Sequence, residues 1–218
     1  MDNLLIRMQE LRNRMAMTIL FIALCCSQSI SQSPSLTNAT GLPQADVITD
    51  KDGNRYLIKK MPDNNWWMTT SLKINIPGSY CYDSLKENCE TYGRLYTWDA
   101  AKKACMLLGD GWRLPEQEDW RQLAIYYGGV PEDSAGSRKK AYQALLDSGI
   151  SGFNALLSGG RQEDGKYARL NAHGFYWMAT ETDSNNAWFG NFGKGSQSLY
   201  RQKDGEKLNA FAVRCIKK

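Results

Sequence analysis

Nucleophilic or metal-bound chemistry in this chain would have to draw on one histidine and six cysteines. His173 sits in Ala172-His173-Gly174, which reads as a turn leading into a strand. A Ser–His–Asp or Cys–His mechanism would need that one imidazole beside a nucleophile, and no flanking motif supplies one. A zinc site needs several Cys or His ligands. One histidine and four cysteines expected in disulfides do not provide them, so neither a metal nor a cofactor is expected. No glycine-rich phosphate loop of the P-loop or dinucleotide type is present. The residues therefore predict no catalytic group and a protein that is not an enzyme.

Recognition chemistry is better represented. Trp177, Trp188, Phe189, Phe192 and Tyr200 are interleaved with Asn185, Asn186, Asn191 and Arg201. Flat rings offer apolar faces, and amide side chains offer paired donors and acceptors, a combination that suits a glycan or a peptide. The competing use of the same rings is as core. The ring-rich stretch from Thr180 to Arg201 is the expected ligand surface, with Trp188, Asn191 and Arg201 as its contacts. Calcium-dependent sugar binding would call for Glu-Pro-Asn or Gln-Pro-Asp, and neither occurs; Glu181 with Asp183 is too thin a cluster for calcium. The net charge of +4 is not gathered into a Lys/Arg block, which argues against a nucleic-acid partner.

The compartment follows from the amino terminus and the cysteines. Residues 1–31 read as a signal peptide. Arg7, Arg12 and Arg14 lead into the apolar run Met15 to Leu24, and Ser27, Ser29 and Ser31 follow. Cleavage is expected after Ser29 or Ser31. The run is shorter than the ~20 residues a membrane span needs. Cys25 and Cys26 leave a lipid anchor open, although Leu24 is not the small residue that normally precedes a lipidated cysteine. Residues 32–45 are polar, hold Pro34 and Pro43, and read as a flexible linker. Beyond them remain Cys81, Cys89, Cys105 and Cys215, an even set that allows three disulfide connectivities. Cys81–Cys89 with Cys105–Cys215 is the favoured one: the first closes a short loop, the second ties a helix to the last strand. Both predict an extracytoplasmic, disulfide-stabilised domain over residues 46–218.

Two amphipathic helices should position these groups. Trp98, Ala101, Cys105 and Leu108 share one helical face, and Gly109 ends that helix. Trp120, Leu123, Ala124 and Tyr127 mark the second, with Pro115, Glu116, Glu118 and Asp119 at its start and Gly128 at its end. Trp112 and Leu114, between them, should plug the core. A third, shorter helix is expected over 138–148, closed by Gly149. Asp52-Gly53 predicts a hairpin between Val47–Lys51 and Arg55–Lys59. Asn64–Lys73 should be a strand with one of Trp66 and Trp67 inside and the other at the rim. Asn75–Asn88 should be mostly loop. From Gly152 the period shortens to two, with strands over 153–161, 166–170, 175–180, 187–192, 197–203 and 206–216, and further Asp-Gly turns at 164–165 and 204–205. In the last strand Phe211, Val213 and Cys215 point one way and Ala212, Arg214 and Ile216 the other. Helices first and antiparallel strands after them give an α+β domain with two or three helices.

A set of short motifs falls in a familiar order: Asp50-Lys51-Asp52-Gly53-Asn54-Arg55-Tyr56, Trp67-Met68, Tyr92-Gly93-Arg94-Leu95-Tyr96-Thr97-Trp98, Gly111-Trp112-Arg113-Leu114-Pro115, Glu118-Asp119-Trp120, Gly152-Phe153-Asn154-Ala155-Leu156, Gly159-Gly160-Arg161, Tyr176-Trp177 with Thr180-Glu181, and Val213-Arg214-Cys215. In this order they resemble the Fibrobacter succinogenes major paralogous domain, a family abundant among exported proteins of Bacteroidetes and Fibrobacteres. The resemblance spans about residues 46–218. It implies a C-type-lectin-like fold with irregular antiparallel sheets, in the version that formylglycine-generating enzymes and hypervariable bacterial receptors use. It also implies a secreted or cell-surface location, and no settled activity. An oxidase of the formylglycine-generating type would need reactive cysteines near the carboxy terminus, where only Cys215 lies. The expected role is adhesion or recognition of a glycan or surface protein; a structural subunit of a surface appendage is the competing one.

Overall fold

The computed structural model describes residues 46–218. The expected signal peptide, linker and lipid-anchor cysteines lie outside the described residues. The fold is α+β with two disulfides, Cys81–Cys89 and Cys105–Cys215, the favoured connectivity.

Strands β1 (Asp46–Thr49) and β2 (Arg55–Lys60) form the hairpin that Asp52-Gly53 announces, with Gly53 at a φ of 84°. β3 (Trp66–Met68) pairs with β2; Trp67 is buried and Trp66 lies at the rim, as expected. β11 (Ile216–Lys217) completes a four-stranded sheet in the order β1-β2-β3-β11. β4 (Ser79–Tyr80) and β5 (Leu95–Tyr96) form a two-stranded ribbon. The larger sheet runs β10-β9-β8-β6-β7 and consists of β6 (Ser158–Arg161), β7 (Tyr167–Leu170), β8 (His173–Glu181), β9 (Asn186–Gly193) and β10 (Ser198–Glu206).

The described residues hold four α-helices rather than two or three: α1 (Lys86–Tyr92), α2 (Trp98–Met106), α3 (Gln117–Tyr126) and α4 (Ala135–Leu145). α2 and α3 are the predicted amphipathic pair, and Trp112 and Leu114 between them are buried. α1 falls at the end of a stretch expected to be loop. It is short, one of its residues is the disulfide-bonded Cys89, and Gly93 ends it at a φ of 79°. α4 begins and ends three residues earlier than expected. The Ser134 side chain caps it by accepting from Ser137 N at 3.3 Å, and the chain is already extended at Leu146. Gly149 does not close it but packs against it: a Cβ there would sit 2.3 Å from the Ala144 carbonyl oxygen.

The carboxy-terminal region departs most from expectation. Asp204-Gly205 is not a hairpin turn. β10 continues through it, and Gly205 pairs with Ala187 across a register shift. A Cβ at Gly205 would stand 2.7 Å from both Trp177 and Phe189, so the glycine admits two rings against the strand instead of reversing the chain. Residues 207–215 then form no strand and meet their neighbours through isolated bridges, Arg161 with Ala210, Tyr96 with Phe211 and Tyr176 with Ala212.

The predicted alternation in that segment survives, with both of its faces buried. Ala210, Ala212 and Ile216 belong to one core cluster, built on Trp67, Trp120, Leu123, Leu145, Phe153, Tyr176 and Phe192. Phe211, Val213 and Cys215 belong to a second, built on Tyr56, Tyr96, Trp98, Cys105, Trp177 and Phe189. The closing segment is therefore the wall between two cores. In the first, Trp67, Trp120 and Phe153 meet edge to face at centroid distances of 5.4–5.7 Å, each pair worth about 0.5–1.5 kcal/mol beyond its burial.

Candidate functional site

Strands alternate their side chains, and register fixes which residues share a face. In β9, Trp188 and Phe192 pack toward the first core, under α3 and α4, while Ala187 and Phe189 pack toward the second. Asn191 is an odd number of residues from Trp188 and so points to the opposite face. In β10, Arg201 stands opposite Gly190 and shares the Trp188 face. The three expected ligand contacts are thus divided between the two sides of one sheet.

Their partners make the division concrete. The Arg201 side chain is 13% exposed. It donates to Gln117 Oε1 at 2.7 Å and to both carboxylate oxygens of Asp133 at 3.1 Å, tying β10 to the start of α3 and to the turn before α4. Trp188 is partly buried against the first core. Asn191 accepts from His173 Nδ1 at 2.8 Å and donates to Gln202 Oε1 at 2.7 Å. The lone histidine is therefore held by an amide, and its ring stacks on Phe175 at 5.4 Å with an interplanar angle of 16°.

The face that carries His173 and Asn191 also carries a recess. Phe175 of β8, Phe189 of β9 and Phe211 of the closing segment meet with centroids 5.0–6.0 Å apart and line a cavity of about 220 Å³. Gly160 of β6 completes the floor; a Cβ there would approach Phe175 and Phe211 to 3.1–3.2 Å. Arg161, Gln162, Arg169 and Asn209 stand around it. The Arg161 guanidinium lies 4.1 Å over the Tyr80 ring and donates to the Gln162 carbonyl at 3.3 Å. Asn209 Oδ1 accepts from Glu163 N at 3.0 Å. Asp164-Gly165, the turn between β6 and β7 that the sequence did announce, places the Arg161–Gln162 edge.

Of the rings singled out in the sequence, Phe189 lines this recess. Trp177 lies behind it, buried in contact with Phe189 and Phe211, and its Nε1 donates to the Tyr96 carbonyl at 2.7 Å. Phe175, Phe211, Arg161 and Arg169 were missed. The period of two in β8 and β9 groups Phe175 with Phe189, so part of the signal was present. Phe211 joins them only through the crossing of the closing segment. All four cysteines among the described residues are held in disulfides. No helix among the described residues is long and apolar enough to cross a membrane.

The fold and this face define a class: a disulfide-tied α+β domain with a small, ring-lined recess on its larger sheet. The chain belongs to the Fibrobacter succinogenes major domain family, whose model matches residues 46–217. No curated protein and no solved structure matches it.

Proposed function

We propose that this domain is a non-catalytic recognition module of an exported protein and that the recess on β6, β8 and β9 takes one ring of a glycan. The three phenylalanine side chains carry this reading. Phe175, half-buried, and the accessible edges of the otherwise buried Phe189 and Phe211 offer apolar surface to the C–H face of a sugar, while Arg161, Gln162, Arg169 and Asn209 offer donors and acceptors to its hydroxyls. Sites for drug-sized ligands usually enclose about 300–1,000 Å³. A recess of about 220 Å³ suits a single ring at the end or side of a longer chain.

Two disulfides favour an oxidising compartment, which supports placement outside the cytoplasm. With all four described cysteines bridged, no thiolate among the described residues is free to act as a nucleophile, which weighs against a cysteine-dependent oxidase built on this domain. In this reading Asn191 orients His173 beside the recess. Trp188 and Arg201 hold the sheet to the helices and touch no ligand.

A glycan array on the full chain, run with and without chelator, tests the proposal. Phe175→Ala combined with Arg169→Ala should weaken a bound glycan by up to about tenfold, the upper end of one lost ring contact. Trp188→Ala should leave it within about twofold once the variant is shown to fold. A bound glycan indifferent to the Phe175 and Arg169 changes would overturn the placement. Binding to surface proteins alone would overturn the choice of glycan.

A further inference from the structure

Arg214 is 1% exposed and faces the first core from the closing segment. Its guanidinium lies 5.3 Å from the Phe153 ring and 5.9 Å from that of Tyr176. Nη2 donates to the Asn154 carbonyl at 2.7 Å, whereas Nε and Nη1 have no acceptor among the described residues. Ser71, 4% exposed, likewise has an Oγ with no partner among them. A buried charge met by one neutral carbonyl and by the Tyr176 side chain is still costly, and burial outweighs Tyr176 and pushes the pKa below the ordinary arginine value.

Both residues line one cavity of about 250 Å³ that shares no residue with the ring-lined recess. Lys73 and Arg55 line it too. Among the described residues the only carboxylate lining it is Glu90, whose Oε2 lies 3.2 Å from Lys73 Nζ. Three cations thus face one carboxylate. The wall is built with care. Leu72 N donates to the Val213 carbonyl at 3.2 Å, and Lys73 N donates to Tyr56 Oη at 3.2 Å. Gly93, at a φ of 79°, lies so close that a Cβ would stand 2.5 Å from Ser71 Cβ.

We infer that this cavity is a binding site for a small oxyanion, the carboxylate, sulfate or phosphate group of a ligand, which accepts from Arg214 and Ser71 with Lys73 and Arg55 at its side. Guanidinium and hydroxyl donors together satisfy such a group, and the group in turn satisfies the buried charge.

Titration calorimetry of the full chain with sodium acetate, sodium sulfate and sodium phosphate tests it, with sodium chloride at matched ionic strength as reference. At least one of the three should bind saturably at one site per chain. Preference for acetate would mark a carboxylate ligand; preference for sulfate or phosphate would mark a tetrahedral one. Glu90→Gln removes the competing carboxylate and should tighten binding up to about fivefold. Arg214→Met should abolish it. Should that variant fail to fold, Ser71→Ala with Lys73→Gln leaves the guanidinium in place and should weaken binding by about tenfold. Heat that merely follows ionic strength, or binding unchanged by the Ser71 and Lys73 substitutions, would overturn the site.

Discussion

Asp50 organises the β1–β2 turn through one carboxylate. Its Oδ1 accepts from the backbone N–H groups of Asp52 and Asn54, each at 2.9 Å, and its Oδ2 accepts from Asn54 Nδ2 at 2.9 Å and Tyr56 Oη at 2.6 Å. Burial pushes the Asp50 pKa up, but the hydrogen bonds outweigh it and the net value lies below the usual carboxylate range. Burial and the adjacent carboxylate raise the Tyr56 pKa, so the phenol stays a donor. A depressed folded pKa means stability that is complete above the unfolded value of about 4 and is lost as pH falls through the folded value. Asp50→Asn should cost about 1.5–3 kcal/mol at pH 7. The gap to the parent protein should narrow as pH falls below about 4. Urea unfolding at pH 7 and pH 3 reads both; a gap equal at the two pH values would contradict the assignment. The sequence showed the Asp-Gly turn but not the carboxylate two residues earlier that holds it. Dipeptides announce turns, while the acceptor that satisfies a turn is chosen in three dimensions.

Among elements, α3 shows how a legible start becomes a joint. Glu116, Glu118 and Asp119 marked the start of a helix, and the structure gives two of them capping roles: Glu116 and Asp119 form a reciprocal capping box. Asp119 Oδ2 also accepts from Arg113 Nη1 at 2.7 Å, Gln117 N donates to Thr180 Oγ1 at 2.9 Å, and Ala179 N donates to the Pro115 carbonyl at 2.8 Å. The cap thus fastens α3 to β8. Asp119→Ala should cost about 1–2 kcal/mol. Glu118→Ala, which removes only exposed contacts to Gln117, Arg121 and Gln122, should stay within about 0.5 kcal/mol. Thermal unfolding of the pair checks this, and equal losses would refute the capping role. α2, α3 and most strands of the large sheet were legible because one buried face imposes one period. α1 was not, since seven residues beside a disulfide carry too few turns to show a period. Nor was the run of β10 through Gly205, where space for Trp177 and Phe189 mimics a turn signal.

At the scale of the molecule, the closing segment separates two cores, and the Cys105–Cys215 disulfide fixes it to α2 within the second. This arrangement also explains why the candidate site was only half legible. Alternation shows which residues share a face, but which face helices cover is decided when α3 and α4 dock. Trp188 and Arg201 fell on the face that α3 and α4 cover; Phe175 and Phe189 fell on the other, which packs against α2 and the closing segment in the second core and bears the recess. The two disulfides should contribute unequally. In the chain-entropy account the benefit grows with the loop that the bridge closes. A separation of 110 residues gives about 5 kcal/mol and one of 8 residues about 2.5 kcal/mol. The short bridge holds a local loop and α1, whereas the long one holds the wall between the cores. Cys105→Ala with Cys215→Ala should therefore lower stability about twice as much as Cys81→Ala with Cys89→Ala. The long-bridge variant should also expose Trp98 and Trp177, which pack in the cluster it anchors. Guanidinium unfolding followed by tryptophan fluorescence measures both effects. Equal losses, or a larger loss from the short bridge, would show that the closing segment is held by packing alone.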